Sequence, residues 1–511
     1  MKRALISVSD KTNIVEFTKG LVECGYEIIS TGGTKKVLED GNVKTISIEE
    51  VTSFPEILNG RVKTLHPKIH GGLLSLRDNE SHIAQVNKYD IEYIDLVCVN
   101  LYPFKQTIEK EGCTFNDAVE QIDIGGPSMI RSAAKNYQYV TVVSDIEDYD
   151  KVLQEIKDNG DTLLVTKKYL SAKAFLLTAS YDSVISNYFT EILNINSPKN
   201  LISTYEFVQE LRYGENPHQE AILYRSSNSE YSLLNTELLN GKALSYNNIQ
   251  DANSAINILK EFSNPTVVAL KHMNPCGVGS STNIEDAFTK AKNSDPVSIF
   301  GGIVALNREV TSKLAEELNT IFLEIIIAPE YQKDALKILS KKKNLRVLKL
   351  DTTKINSDSY QFTTVNGGVL VQELDDYIVR KEDSKIVTNS SLSEEELDEL
   401  YFAWKVVKHV KSNAIVITKN HQTVGVGAGQ MNRVGAAEIA LSWAKKYGHT
   451  EDLTLSSDAF FPFDDVVKLA SKYGVKRIIQ PGGSIRDKDS INACNELGIT
   501  MVFTGNRHFK H

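Results

Sequence analysis

The chain has 511 residues, of which 41% are hydrophobic and 24% charged, with a formal net charge of -9. At roughly 100 to 200 residues per domain, this length exceeds what one hydrophobic core organises, and the apolar content excludes a disordered chain. The acidic balance excludes a nucleic-acid or membrane-surface role spread over the molecule, because neutralising a track of phosphates needs clustered positive charge, so any anion site has to be local.

Residues 5–8 form a short apolar run between Arg3 and Asp10, too brief for a signal peptide's central segment, and read as a first strand. Residues 13–24 carry helical periodicity that Gly25 stops, and residues 27–30 read as the next strand. Apolar segments at 96–99 and 139–143 alternate with helical stretches such as 115–121, which predicts a doubly wound α/β domain with a mostly parallel sheet. Residues 167–193 read as a helix, and the polar run Asn194-Ile195-Asn196-Ser197-Pro198-Lys199-Asn200 as a linker, setting domains at 1–195 and 200–511. The second half mixes strands (266–270, 414–418, 477–479, 500–503) with helices (284–292, 436–446) and has room for two similar subdomains. No short-period repeat stands out, and Lys341-Lys342-Lys343 reads as a solvated helix end. No stretch approaches the roughly 18 apolar residues of a membrane helix, so a cytoplasmic protein is expected. The five cysteines are widely spaced without a Cys-x-x-Cys pair and read as reduced thiols.

Ser30-Thr31-Gly32-Gly33-Thr34 follows a strand and precedes a helix-like segment, where backbone N–H groups can cradle a phosphate; an ordinary glycine-rich turn is the competing explanation. Three more polar clusters give it context: Ser9-Asp10-Lys11-Thr12, Arg61-Val62-Lys63-Thr64-Leu65-His66-Pro67 and Asp123-Ile124-Gly125-Gly126-Pro127-Ser128. Loops at the carboxyl ends of strands converge on one crevice in such a sheet, so these clusters are expected to share a phosphorylated ligand. Arg61 and Lys63 bring positive charge, while Tyr102, Asp123 and Lys135 bring groups able to relay protons.

In the second half, Lys271-His272 stands at the end of the strand-like run 266–270, followed by Asn274-Pro275 and a flexible Cys276-Gly277-Val278-Gly279. A cation beside an imidazole suits acyl or formyl transfer, with His taking the nucleophile's proton and Lys stabilising the developing oxyanion. Pro275-Cys276 resembles half of the zinc-deaminase signature, but Gly279 stands where its second Cys belongs and no His-x-Glu accompanies His272, so no catalytic zinc is expected. Arg212-Tyr213 offers a guanidinium for phosphate and a ring for a base, and residues 457–465 set aromatics among acids, as a pocket for a planar heterocycle requires. A non-catalytic module that senses a phosphorylated effector is the rival from another class; the intact Lys271-His272 pair and Lys135 argue against it.

Taken together, the stretches 7–11, 30–34, 60–67, 123–136, 211–219, 271–277, 459–463, 480–484 and 503–511 resemble, over essentially the whole chain, the bifunctional AICAR formyltransferase/IMP cyclohydrolase family of purine synthesis. The resemblance implies a methylglyoxal-synthase-like N-terminal domain that closes formyl-AICAR to IMP with loss of water. It also implies a C-terminal formyltransferase of two cytidine-deaminase-like α/β subdomains, using 10-formyltetrahydrofolate as co-substrate in a homodimer. Carried over by position, His272 is the base and Lys271 the transition-state stabiliser, while Arg212, Tyr213, Gly301, Glu324, Asn413, Phe460 and Arg507 hold AICAR. Arg433, Val434, Asp465, Ser484 and Ile485 meet the folate, with Val434 and Ile485 contributing through backbone. For cyclisation Lys135 transfers the proton, supported by Lys63, Tyr102 and Asp123. The nucleotide is held by Ser9, Asp10, Lys11, Thr31, Gly32, Gly33, Thr34, Arg61, Lys63, Thr64, Asn100, Asp123 and Ile124. Glu324 and Thr31 replace an Asp and a Ser of some relatives, and both swaps keep the chemistry.

Overall fold

The computed structural model describes residues 1–226, 232–352 and 360–511. Contacts divide the chain into two units, Met1–Thr204 and Tyr205–His511. In the first, β1 (Lys2–Ser7), β2 (Tyr26–Ser30), β3 (Ile46–Ser47), β4 (Leu96–Val99) and β5 (Thr141–Val143) form a sheet of order β3-β2-β1-β4-β5. Every pairing is parallel. Ala4, Leu5, Ile6, Ile28, Ile29, Val97 and Val142 are buried because helices cover both faces, which is why these strands read as continuous apolar runs. Strand order reverses at β1, whose neighbours are β2 and β4, so a crevice opens beyond the carboxyl ends of β1 and β4.

The second unit begins with an antiparallel ribbon of β6 (Tyr205–Leu211) and β7 (Ala221–Ser226). A six-stranded sheet follows, built from β8 (Glu237–Asn240), β9 (Thr266–Lys271), β10 (Asn274–Ser280), β11 (Ile303–Leu306), β12 (Ile325–Ala328) and β13 (Arg346–Lys349), in the order β10-β9-β11-β12-β13-β8. A second ribbon, β14 (Tyr360–Val365) with β15 (Gly368–Glu373), precedes another six-stranded sheet. That sheet takes β16 (Lys385–Ile386), β17 (Ile415–Thr418), β18 (Thr423–Gly427), β19 (Leu453–Ser457), β20 (Val475–Gln480) and β21 (Thr500–Phe503), in the order β16-β21-β20-β19-β17-β18.

The two sheets follow one chain path run twice. Each has an antiparallel hairpin at one edge (β9–β10, β17–β18), three parallel strands beside it, and the repeat's first strand antiparallel at the far edge. The helices repeat as well: Tyr246–Leu259 and Glu394–Val407 precede the hairpins, and Ile284–Ser294 and Arg433–Lys446 follow them. Side chains alternate as strands require. Val267 and Ala269 enter an outer core, whereas Val268 and Leu270 enter a central one shared by both repeats and lined by the two leading helices. Ile415 and Ile417 against Ala414 and Val416 do the same in the second repeat. Each buried Val, Leu or Ile stabilises this stack by about 1.5–3 kcal/mol.

Residues 276–279, expected as a flexible loop, lie instead in β10. Their glycines serve close packing: a Cβ on Gly277 or Gly279 would run into the carbonyl oxygens of Ala291 and Ala287, so the following helix lies directly on the strand. Gly425 and Gly427 meet Ala440 and Ala436 in the same way in β18. Lys341 and Lys343 are solvated, but Lys342 is tied down by donating to the Ile321 carbonyl at 2.8 Å. All five cysteines are free. No helix among the described residues is long and apolar enough to cross a membrane.

Candidate active sites

In the first unit, hydrogen bonds stitch the loops after β1, β2 and β4 into one rim. Ser7 Oγ and Thr31 Oγ1 lie 2.8 Å apart, and Thr34 Oγ1 both accepts the Val8 N–H and donates to the Val8 carbonyl, each at 3.0 Å. Asn100 Oδ1 accepts from the Ser9 and Asp10 N–H groups at 2.5 and 3.1 Å, and its Nδ2 donates to the Asp10 carbonyl at 3.0 Å. Gly32, at φ 42°, and Gly33 open the helix Gly32–Asp40 on this rim. Lys63 Nζ lies 3.5 Å from where a Cβ on Gly32 would stand, and Lys11 Cε 3.8 Å from one on Gly33. Two ammonium chains therefore flank a helix N-terminus, whose partial positive charge and free N–H groups already favour an anion.

Thr64, the next residue, faces a different helix. Its Oγ1 is 2.8 Å from where a Cβ on Gly125 would be, and Gly125 starts the helix Gly125–Lys135. Lys63 and Thr64 thus bridge two helix N-termini. At the second of these, Asp123 accepts N–H groups from Gly126, at 2.8 Å, and from Tyr102. Burial raises the Asp123 pKa, and those two N–H groups only partly offset it. Tyr181, which no motif marks, joins the site: its hydroxyl accepts the Asp123 N–H at 2.9 Å and donates to the Gln121 carbonyl at 3.2 Å. Tyr102 and Ile124 are exposed on the rim. Lys63 also pairs with Glu56 at 2.7 Å, and exposed Arg61 pairs with Glu120.

Lys135 ends the helix whose first residue is Gly125, and Asn136 beside it donates its Nδ2 to the Leu73 and Ser75 carbonyls, which fixes that end of the helix.

In the second unit, β9 and β10 pair from Lys271–Asn274 inward, leaving His272 and Met273 as a two-residue turn. Both are left-handed, at φ 54° and 60°, the geometry that matches strand twist in a tight hairpin. Lys271 Nζ donates to the Phe300 carbonyl at 2.9 Å, which sets the ammonium beside Gly301. Gly301 in turn donates its N–H to the Phe322 carbonyl at 2.8 Å, and Glu324 pairs with Arg346 at 2.8 Å. Lys271, Gly301 and Glu324 hence share the edge where β9 ends and β11 and β12 begin. The Arg212-Tyr213 loop, with the guanidinium 5.4 Å from the ring centre, is anchored by Asn247 Nδ2 donating to the Glu215 carbonyl at 3.3 Å.

The remaining expected residues gather at the opposite repeat, where β18, β19, β20 and β21 end and β17 begins. Asn413 precedes β17, Arg433 and Val434 follow β18, Phe460 and Asp465 follow β19, Ser484 and Ile485 follow β20, and Arg507 follows β21. The two edges meet where Asn274 Oδ1 accepts the Lys411 N–H at 3.1 Å. Between the repeats lies a cleft of about 270 Å³ that includes Lys271, His272, Cys276, Asp295, Ala428 and Trp443 in its walls. Burial pushes the Cys276 thiol up to about 12, so it lines the cleft as a neutral group. Phe461 is core, whereas Phe460, Phe463 and Ile485 are exposed.

Arg433 is buried, and its guanidinium donates to Asn413 Oδ1 at 2.7 Å, to Ser457 Oγ at 2.8 Å and to Asp458. Among the described residues, no group of three or more His, Cys, Asp or Glu side chains is arranged to hold a metal.

The family model for the AICARFT/IMPCHase bienzyme matches residues 133–443, and that for the MGS-like domain matches residues 13–128. The bifunctional purine biosynthesis protein PurH of Bacillus cereus (strain AH820) is 58% identical over all 511 residues, covering 100% of both chains. That of Bacillus cytotoxicus is 57% identical with the same full coverage. Among solved structures, the crystal structure of ForH is 35% identical over 37% of this chain and 97% of its own, with a TM-score of 0.34. With a family model over more than half its length and full-length relatives at this identity, the chain belongs to the bifunctional AICARFT/IMPCHase family of purine biosynthesis enzymes.

Proposed function

We propose that the two units of this bifunctional enzyme divide its chemistry: the second transfers formyl from 10-formyltetrahydrofolate to AICAR, and the first closes formyl-AICAR to IMP. The observation that carries the transferase assignment is the Lys271–His272 corner of the inter-repeat cleft, a fixed ammonium next to an imidazole on a rigid turn. His272 takes the proton of the AICAR amine as that nitrogen attacks the formyl carbon, and Lys271 stabilises the charge growing on the formyl oxygen. The bond from the formyl carbon to the folate N10 then breaks and the proton held by His272 passes to that nitrogen, releasing tetrahydrofolate. Gly301, Glu324 and the Arg212-Tyr213 loop hold AICAR from one edge, and Asn413, Phe460 and Arg507 from the other. Arg433, Val434, Asp465, Ser484 and Ile485 meet the folate, and Arg433 also fixes Asn413.

For cyclisation, Lys11, Lys63 and the N-terminus of Gly32–Asp40 take the nucleotide phosphate, with Ser9, Asp10, Thr31, Thr34, Thr64 and Asn100 around it. Asp123 takes the carboxamide proton as that nitrogen closes on the formyl carbon, and Lys135, supported by Tyr102 and Lys63, transfers the proton to the oxygen that leaves as water. The exposed apolar residues of the ribbons, Phe207 and Tyr224 on one and Phe362 and Leu370 on the other, support a homodimer, since an uncovered two-stranded ribbon is marginal in water. We place the enzyme in the cytosol. The test is full-length protein given AICAR and 10-formyltetrahydrofolate, with IMP as the expected product, and formyl-AICAR alone in a parallel assay. Failure to cyclise added formyl-AICAR would overturn the first-unit assignment; cyclisation without transfer would overturn the second.

A further inference from the structure

The His272–Met273 turn has an unfavourable backbone. Two consecutive residues with side chains sit at positive φ, at a cost of about 1–2 kcal/mol each, so something outside the turn has to hold it. The holder is a carboxylate from the preceding helix. Asp251, on Tyr246–Leu259, accepts the Met273 N–H at 2.8 Å and also the His272 N–H. The second repeat contains the same device at the matching positions. Its β17–β18 turn, Asn420–His421, is left-handed at φ 54° and 55°, and Glu399 on Glu394–Val407 accepts the His421 N–H at 2.6 Å. The duplicated fold therefore stabilises each hairpin tip with a helix carboxylate, and only the first tip carries the Lys-His pair.

We propose that Asp251 is a positioning residue for formyl transfer, which fixes the His272–Met273 turn through its backbone N–H groups and so aims the His272 imidazole into the cleft. This rests on His272 being the base. Asp251 itself does not touch AICAR. Its contribution is to the orientation of a group that acts only in the transition state, so its loss falls on kcat rather than on KM, and a displacement of about 1 Å at such a group can cost about 10²-fold.

The test measures kcat and KM for formyl transfer, and cyclisation of formyl-AICAR, in full-length Asp251→Ala, Asp251→Asn, Glu399→Ala and His272→Ala. Asp251→Ala is expected to lower kcat about 30- to 100-fold, with the AICAR KM changed less than about three-fold and cyclisation unaltered. Asp251→Asn, whose amide oxygen still accepts the Met273 N–H, is expected to recover most of that loss. Glu399→Ala, which removes the matching support from the other turn, is expected to keep wild-type kcat. The proposal is overturned if Asp251→Ala retains kcat, if its loss appears as KM alone, if cyclisation falls in parallel, or if Glu399→Ala loses as much transfer as Asp251→Ala. Retention of transfer in His272→Ala would instead overturn the underlying assignment of the base.

Discussion

Lys271 Nζ donates to the Phe300 carbonyl at 2.9 Å, which pins the end of β9 to the segment that leads into β11. The ammonium is thereby held in place before any substrate arrives, as transition-state stabilisation requires. Lys271→Ala is expected to lower kcat for formyl transfer by about 10²–10³-fold, the usual cost of one lost oxyanion donor. Cyclisation of added formyl-AICAR, read in the same preparation, should be unchanged, and a parallel loss of both activities would count against separate sites.

Asp123 carries the equivalent test for the first unit. Burial raises its pKa above 3.8, so the carboxylate needed as a base appears only as pH climbs through that raised value. The acid limb of kcat/KM for cyclisation is therefore expected above the range of a free aspartate. Asp123→Asn should lower cyclisation by about 10²–10⁴-fold and leave formyl transfer intact.

Much of the first site was legible because its parts follow strands in an ordinary α/β order. The run 5–8, the Gly32-Gly33 turn and the Asp123 cluster each announce a strand end or helix start, and open-sheet topology brings such points together. Tyr181 and Asp251 were invisible because each lies on a helix distant in sequence from the loop it holds. The glycines of β10 were read as looseness when they mark the reverse, a strand on which a helix backbone rests.

That packing gives a stability prediction. In the second repeat, a Cβ on Gly425 would strike the backbone carbonyl of Ala440, which no side-chain rotation relieves. Gly425→Ala is expected to destabilise the protein by about 1–3 kcal/mol or more, read as a lower Tm in a thermal melt. An unchanged Tm would mean the strand and helix can separate freely.

Glu261 provides a pH-dependent counterpart. Its carboxylate accepts from Lys408 Nζ at 2.8 Å and His409 Nε2 at 3.0 Å in the interior of the second unit. Burial alone would raise its pKa, but the His409 hydrogen bond and the charges opposite outweigh it and bring it to about 2. A depressed carboxyl pKa stabilises the fold above the unfolded value of 4.5 and loses that contribution as pH falls toward 2. Glu261→Gln strands the Lys408 charge and should cost about 3–5 kcal/mol at neutral pH. Denaturant melts should show this deficit constant from about pH 7 to 5 and shrinking below the ordinary carboxyl range.

The two-residue tip between β9 and β10 leaves no slack in the chain. An inserted residue there cannot be absorbed as it can in a surface loop; it shifts the pairing register or re-aims the imidazole, with helix backbone already against the outer strand. Tolerance to length change should therefore be mapped unevenly over the molecule, lowest at residues 272 and 273 and high in the exposed polar run 194–200. A relative with a lengthened tip at this point can be expected to have given up formyl transfer while its ring-closing unit stays intact.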